Sequence, residues 1–227
     1  AGMVGVQNGV YSIEVRRASA GEKMIALDEK EYTLADSTLV IADSNKKEAI
    51  GIAGVKGGIL TAITEATVDI IIESANFDAV SVRKTAQMLK LHTDASTRFE
   101  QILSPELAAY GMHAVVQLIQ KLAGGEVVGF VDVYPNPEQS SSVSVSLGHI
   151  NRVLGTNLTG ADVANVFARL GLAYTEEDEL FTVMAPFERL DLTIPEDLVE
   201  EVGRIVGYDT IPAIPLPVFP KEVEMNK

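Results

Sequence analysis

Apolar and polar residues alternate from Tyr11 to Val15. Tyr11, Ile13 and Val15 fall on one side, Ser12 and Glu14 on the other, which is the two-residue period of a half-buried strand. Short apolar runs follow at 23–27, 38–42, 49–53 and 67–74, separated by turn residues such as ADSNKKE at 42–48. They predict a β-rich first third. The period then lengthens. Asp78 is placed to N-cap a helix reaching about Lys90, and Ser104, Pro105 and Glu106 supply the cap, first-turn proline and early acid of a second helix ending at Gly124. Leu107, Ala108, Val115, Leu118, Ile119 and Leu122 form a stripe on that helix that is expected to face the core. EVVGFVDV at 126–133 reads as one more strand, and YPNPEQSSS at 134–142 as a boundary.

Beyond the boundary, VSVSL (143–147) is strand-like. GHINRVLG (148–155) and TGADVANVFARLG (159–171) are short helices, each closed by glycine. Thr159 and Asp162 approximate a capping box with Asp in the usual Glu position. Strands in LAYTEE and LFTVMAP and a helix at 195–208 complete the order helix, helix, strand, strand, helix, as in a small winged-helix-like module. The expected class is α+β, with domains at 1–134 and 143–213 and an extended proline-rich tail or linker at 214–227.

At 227 residues and 47% hydrophobic, the chain is long enough for one large core or two small ones. No apolar run reaches the roughly 18 residues of a membrane helix. The absence of cysteine excludes disulfides and thiolate metal sites and makes the cytoplasm the default location. A net charge of -14 argues against broad gripping of nucleic acid, which draws on Lys and Arg displacing counterions. With no initiating Met or signal pattern at its start, the chain reads as a fragment.

GIAGVKGG at 51–58 holds four glycines in eight positions. It is not a P-loop, because Lys56 precedes Gly57 and Gly58 and no Ser or Thr follows it. Nor is it a dinucleotide fingerprint, because Gly51, Gly54 and Gly57 are spaced three and three with no helical pattern behind them. A strand-end turn is the favoured reading, with a pocket wall as the alternative. Glu73, inside an apolar run, is either a solvated edge residue or a carboxylate held in a pocket. Asp191, Asp197, Glu200 and Glu201 gather at the start of the last helix, either as solvated acids favoured by its dipole or as a Mg²⁺ site. His92, His113 and His149 are too scattered for a zinc site, and no Ser/His/Asp set can be assembled from spacing, so no catalytic residue is assigned.

The ordered series GIAGVKGG, IIIESANFDAVSVRKTAQMLKLHTDASTRFE, HINRVLGTNLT and RLDLTIPEDLVEEVGRIVGYDTIP resembles the β-subunit family of bacterial phenylalanyl-tRNA synthetases, from about Tyr11 to Pro217. The resemblance implies the later part of a B3/B4 editing domain followed by a B5 domain. It further implies an ATP-dependent ligase acting with an α subunit in an α2β2 assembly on tRNA(Phe), and hydrolysis of Tyr-tRNA(Phe). The fragment alone is expected not to aminoacylate. On the matching positions Ala53, Gly54 and Gly57 would shape the pocket floor, Glu73 would face the tyrosine hydroxyl, and Thr93 and Ala95 would complete the wall. The family's Mg²⁺ site, shared with the α subunit, falls on Asp191, Asp197, Glu200 and Glu201, and in the fragment it is expected to be empty or loosely filled. Lys56 departs from the family, which usually carries an apolar residue there; it is expected to be solvated rather than to meet a tRNA phosphate. The upstream half of the editing domain, with a pocket histidine and asparagine, is absent from this sequence. The alternative function is a noncatalytic scaffold or nucleic-acid-contact module.

Overall fold

The computed structural model of the chain describes residues 6–7, 10–138, 141–211 and 213, in two compact units that divide between residues 138 and 139. Both are α+β. In the first unit a short hairpin, β1 (Val6–Gln7) and β2 (Val10–Tyr11), precedes β3 (Ile13–Arg17), β4 (Lys23–Ile25), β5 (Glu31–Thr33), β6 (Leu39–Asp43), β7 (Glu48–Ile52) and β8 (Lys56–Gly57). Strands β3, β6, β7 and β8 form an antiparallel sheet in that order, and β4 pairs with β5. An Ala26–Gly58 bridge joins the β4–β5 hairpin to the loop after β8.

Alternation in β6 buries Val40 and Ala42, and in β7 a register shift opposite Ile41 and Ala42 lets Ala49 and Ile52, three residues apart, both be buried. Val40, Ala49 and Ile52 meet Met24, Ala26, Leu34 and Val55, and Val82 and Leu91 from the helical side. The β6–β7 turn closes on Asp43, buried in the sheet end, whose carboxylate accepts from the Asn45 and Lys46 amides at 2.9 and 3.2 Å. Between β3 and β4, Arg16 forks onto Glu22 at 2.9 and 2.8 Å. That pairing, outweighing desolvation, holds the Glu22 carboxyl below its ordinary range.

Helix α1 (Ala79–Leu89) starts at the cap predicted for it, with the Ser81 amide donating to Asp78 Oδ1 at 2.7 Å. Helix α2 (Asp94–Phe99) and strand β5 are elements that the sequence pattern did not predict. Helix α3 (Leu107–Ala123) forms, but none of its residues is buried, so its apolar stripe is not core. Amphipathic spacing specifies which face is sticky, not what covers it. The 67–74 run is likewise not a strand: an extended backbone needs a ladder partner, and no described residue supplies one. Val68, Ile70 and Ile71 stay exposed, as do Val127, Val128, Phe130, Val131 and Val133 in the 126–133 run, which is also unpaired.

The second unit runs β9 (Ser142–Ser146), α4 (Leu147–Leu154), α5 (Gly160–Arg169), β10 (Ala173–Glu177), β11 (Leu180–Met184) and α6 (Pro195–Val206). Its antiparallel sheet is ordered β10, β11, β9. Thr159 and Asp162 complete the reciprocal box that caps α5, and Pro195 opens α6. Phe167, Phe181 and Tyr174 meet with ring centroids 5.7 to 6.0 Å apart, and around them pack Val143, Val145, Ile150, Val163, Leu198 and Val202. The proline-rich tail at 214–227 lies outside the described residues.

Because Phe167 and Phe181 are fully buried, Phe181→Ala should destabilise the second unit by about 3–5 kcal/mol in urea unfolding, and Val153→Ala, at an exposed position on α4, by less than about 0.5 kcal/mol.

Candidate functional site

The glycine-rich stretch leaves β7 through a tight turn and enters β8, and two of its glycines are sterically required. Gly54 has φ +67, and a Cβ there would lie 2.9 Å from Val82 Cγ2 and 3.0 Å from Phe77 Cδ2. At Gly58 a Cβ would come within 2.7 Å of the Ile50 carbonyl oxygen. Gly51 is different: its nearest neighbour would be an ordinary 3.8 Å away. Ala53 and Val55 are buried, so the turn is packed onto α1 and α2 on its inner side, while Gly57 is exposed.

Two side chains fix the turn from outside. Thr93 Oγ1 donates to the Val55 carbonyl at 2.7 Å and accepts from the Ser96 amide at 3.0 Å, so the residue that caps α2 also holds the glycine turn. Ser96 Oγ accepts the Thr93 amide at 2.9 Å, completing a capping box. Ala95 is exposed in the first turn of α2. Lys56 Nζ lies 3.2 Å from Asp28 Oδ2, and Tyr32 Oη donates to the same oxygen at 2.8 Å. Lys56 is therefore ion-paired within the protein rather than freely solvated, and it ties β8 to the β4–β5 turn. Desolvation raises the Asp28 carboxyl, but the Tyr32 and Lys56 bonds outweigh it and the net shift is downward.

Glu73 stands in the unpaired stretch before α1. It is open to water and has no hydrogen bond or ion pair among the described residues, yet the density of protein around it pushes its carboxyl above the ordinary value. The residues that follow are anchored. Ser74 Oγ donates to the Ala108 carbonyl at 2.6 Å, Asn76 Nδ2 donates to the Leu103 carbonyl at 2.8 Å, and Phe77 packs edge-on against Phe99 at 5.2 Å. A shallow pocket lies here, lined by Ser74, Asn76, Phe99, Leu103 and Leu107. Phe77, at most about 14 Å of extended chain from Glu73, is the residue whose ring abuts Gly54. The structure brings Gly54, Val55 and Thr93 together directly, and connects Glu73 to them through Phe77.

In the second unit two of the four acids, Asp191 and Glu201, meet on Arg189 Nη2, while Asp197 and Glu200 are engaged elsewhere or exposed. Asp191 accepts a fork from Arg189, Nε to Oδ1 at 2.8 Å and Nη2 to Oδ2 at 2.6 Å, and this holds its carboxyl below the ordinary range. Glu201 is buried, with Arg189 Nη2 on Oε1 at 2.9 Å and Arg204 Nη2 on Oε2. Asp197 caps α6, accepting the Thr193 and Ile194 amides at 2.7 and 2.8 Å; these bonds lower its pKa. Glu200 is exposed and unpartnered among the described residues. No group of three or more His, Asp or Glu among the described residues is arranged to hold a metal ion, and these four do not fit Mg²⁺ as they stand. Arg189 is the residue that motif spacing did not single out; its place two residues before Asp191 was the available signal.

These two modules match known family models in the same order. The B3/4 domain model matches residues 6–124, just over half of the chain, and the tRNA synthetase B5 domain model matches residues 143–208. Among curated proteins the chain is similar to the phenylalanine–tRNA ligase beta subunits of Staphylococcus saprophyticus (39% identical over 219 residues, 94% of this chain and 26% of that protein). The corresponding protein of Bacillus cereus is 42% identical over 205 residues (90% and 25%), and that of Dehalococcoides mccartyi 40% over 218 (90% and 27%). The chain belongs to the phenylalanyl-tRNA synthetase β-subunit family. It spans about a quarter of the length of these relatives. Among solved structures, an N-terminal fragment of the phenylalanyl-tRNA synthetase beta subunit from Pyrococcus horikoshii aligns with a TM-score of 0.43 and 13% identity, covering 84% of this chain and 55% of that one.

The steric contrast between two glycines tests the packed turn. Gly54→Ala should cost more than about 1 kcal/mol in urea unfolding and speed hydrogen exchange at the Val55 amide, whereas Gly51→Ala should change either little.

Proposed function

We propose that the chain is the part of a phenylalanyl-tRNA synthetase β subunit that contributes to hydrolytic editing of Tyr-tRNA(Phe). It would act in the cytoplasm within an α2β2 enzyme that joins phenylalanine to tRNA(Phe) with ATP. The observation that carries this reading is an uncommitted carboxylate, Glu73, just ahead of an anchored segment whose Phe77 packs on a sterically locked glycine turn.

The chemistry follows from what each group can do. A carboxylate without an internal partner is free to accept a hydrogen bond from a tyrosine hydroxyl. With phenylalanine bound it would lose water and gain nothing. Sites built to bond a hydroxyl reject the analogue lacking it strongly. Ala53, Gly54 and Gly57 supply backbone without bulk, and Thr93 holds the Val55 carbonyl so that the wall does not yield; exposed Ala95 would line its rim. The ester would be cleaved by a positioned water assisted by the substrate's own hydroxyls, with the protein supplying orientation. Activation of phenylalanine with ATP falls to parts of the enzyme outside this chain, chiefly the α subunit, and the fragment alone does not aminoacylate. In the competing scaffold reading, the unburied stripe of α3 would be a docking face and Glu73 a bystander.

Deacylation of Tyr-tRNA(Phe) and Phe-tRNA(Phe) by full-length β assembled with its α partner separates the two. Glu73→Gln should reduce discrimination between the two substrates by about 10- to 100-fold, the worth of one hydrogen bond to a charged group. Unchanged discrimination would leave the scaffold reading standing.

A further inference from the structure

We infer that Arg189 is the built-in cation of the acidic cluster at the start of α6, so that this cluster is held by guanidinium groups and does not bind a divalent metal. Mg²⁺ demands near-octahedral oxygen ligands at about 2.0–2.1 Å and takes one or two carboxylates with free lone pairs. Here each oxygen of Asp191 and Glu201 already faces a guanidinium donor, which places a cation where the metal would have to sit. Both Asp191 oxygens accept from the Arg189 fork, and both Glu201 oxygens accept, one from Arg189 and one from Arg204. Asp197 Oδ2 takes two backbone amides and, at 3.3 Å, the Thr193 hydroxyl.

The bridged pair, Asp191 and Glu201, is neutralised without a metal. Arg189 and Arg204 carry two positive charges against the two negative charges of Asp191 and Glu201. Asp197 sits in the amide field of the helix N-terminus, where a negative charge is favoured. Admitting Mg²⁺ between Asp191 and Glu201 would require expelling Arg189, leaving a guanidinium without its buried partner. Arg189 also has a mechanical role. It crosses from the segment after β11 to the middle of α6, and Leu192, between the bridged acids, is buried in the core of this unit.

Removing Arg189 should therefore create the metal site that the native cluster lacks. In the 227-residue chain, adding MgCl₂ in place of EDTA should move the unfolding midpoint by less than about 1 °C, where a site filled at about 100 times its dissociation constant gives several degrees. Mn²⁺ EPR titration of the same chain should show no saturable binding. Arg189→Met should lower the midpoint, and Mg²⁺ should then raise it; Arg189→Lys, which keeps the charge but loses the fork, should remain unresponsive to metal. In full-length β with its α partner, Asp191→Asn should leave the Mn²⁺ stoichiometry unchanged. Saturable Mn²⁺ binding by the native chain, or loss of one Mn²⁺ from the assembled enzyme on Asp191→Asn, would overturn the inference.

Discussion

A side chain at residue 54 has nowhere to go, and the shape of the first unit follows from that. Gly54 turns the chain with a positive φ while pressed against Phe77 and Val82, so β7 and β8 are bound to the helical layer at a point where no other residue fits. Val55 is then buried, its carbonyl faces Thr93, and Lys56 emerges beside Asp28. The turn is fixed by packing on one side and by a hydrogen bond and an ion pair on the other. A segment held in this way can serve as a wall, because rigid backbone places its atoms without further ordering cost. Glu73 belongs to the same frame through Phe77, but its own carboxylate is spared from it.

The second unit uses carboxylates in the opposite sense. Asp191, Asp197 and Glu201 are each committed, to arginine guanidinium groups or to the two backbone amides just ahead of α6. Arginine suits this because its planar fork meets both oxygens of a carboxylate at once. Burying the Glu201 side chain without such partners would cost free energy that no other described group in the unit offsets. The spacing of acids along a helix start is the same whether they await a cation or have one supplied by the chain; what distinguishes the cases is Arg189.

Local signals in the sequence were legible and long-range ones were not. Asp78, the Thr159–Asp162 pair and Pro195 act within one helical turn, and each helix begins where they place it. The inward alternation of β6 is likewise a property of neighbouring residues. By contrast, 67–74 has the composition of a strand but lacks a described ladder partner, and α3 has a core-like stripe that no described element covers. Lys56 finds its counter-ion 28 residues away, across a hairpin whose short polar strand β5 carries little pattern of its own. Among the site residues, the glycines could be sorted only once their neighbours were known: Gly54 and Gly58 are required by contact, Gly51 is not.

The proposal that the locked turn and Glu73 bound an amino-acid pocket is tested most directly by locating the ligand. A non-hydrolysable tyrosyl-tRNA(Phe) analogue with a photoreactive ring would be bound to full-length β with its α partner, irradiated, and its adducts mapped by mass spectrometry. Adducts should fall in residues 53–58, 73–76 and 93–96. Adducts confined to other parts of the protein, with those three segments unlabelled, would contradict the account.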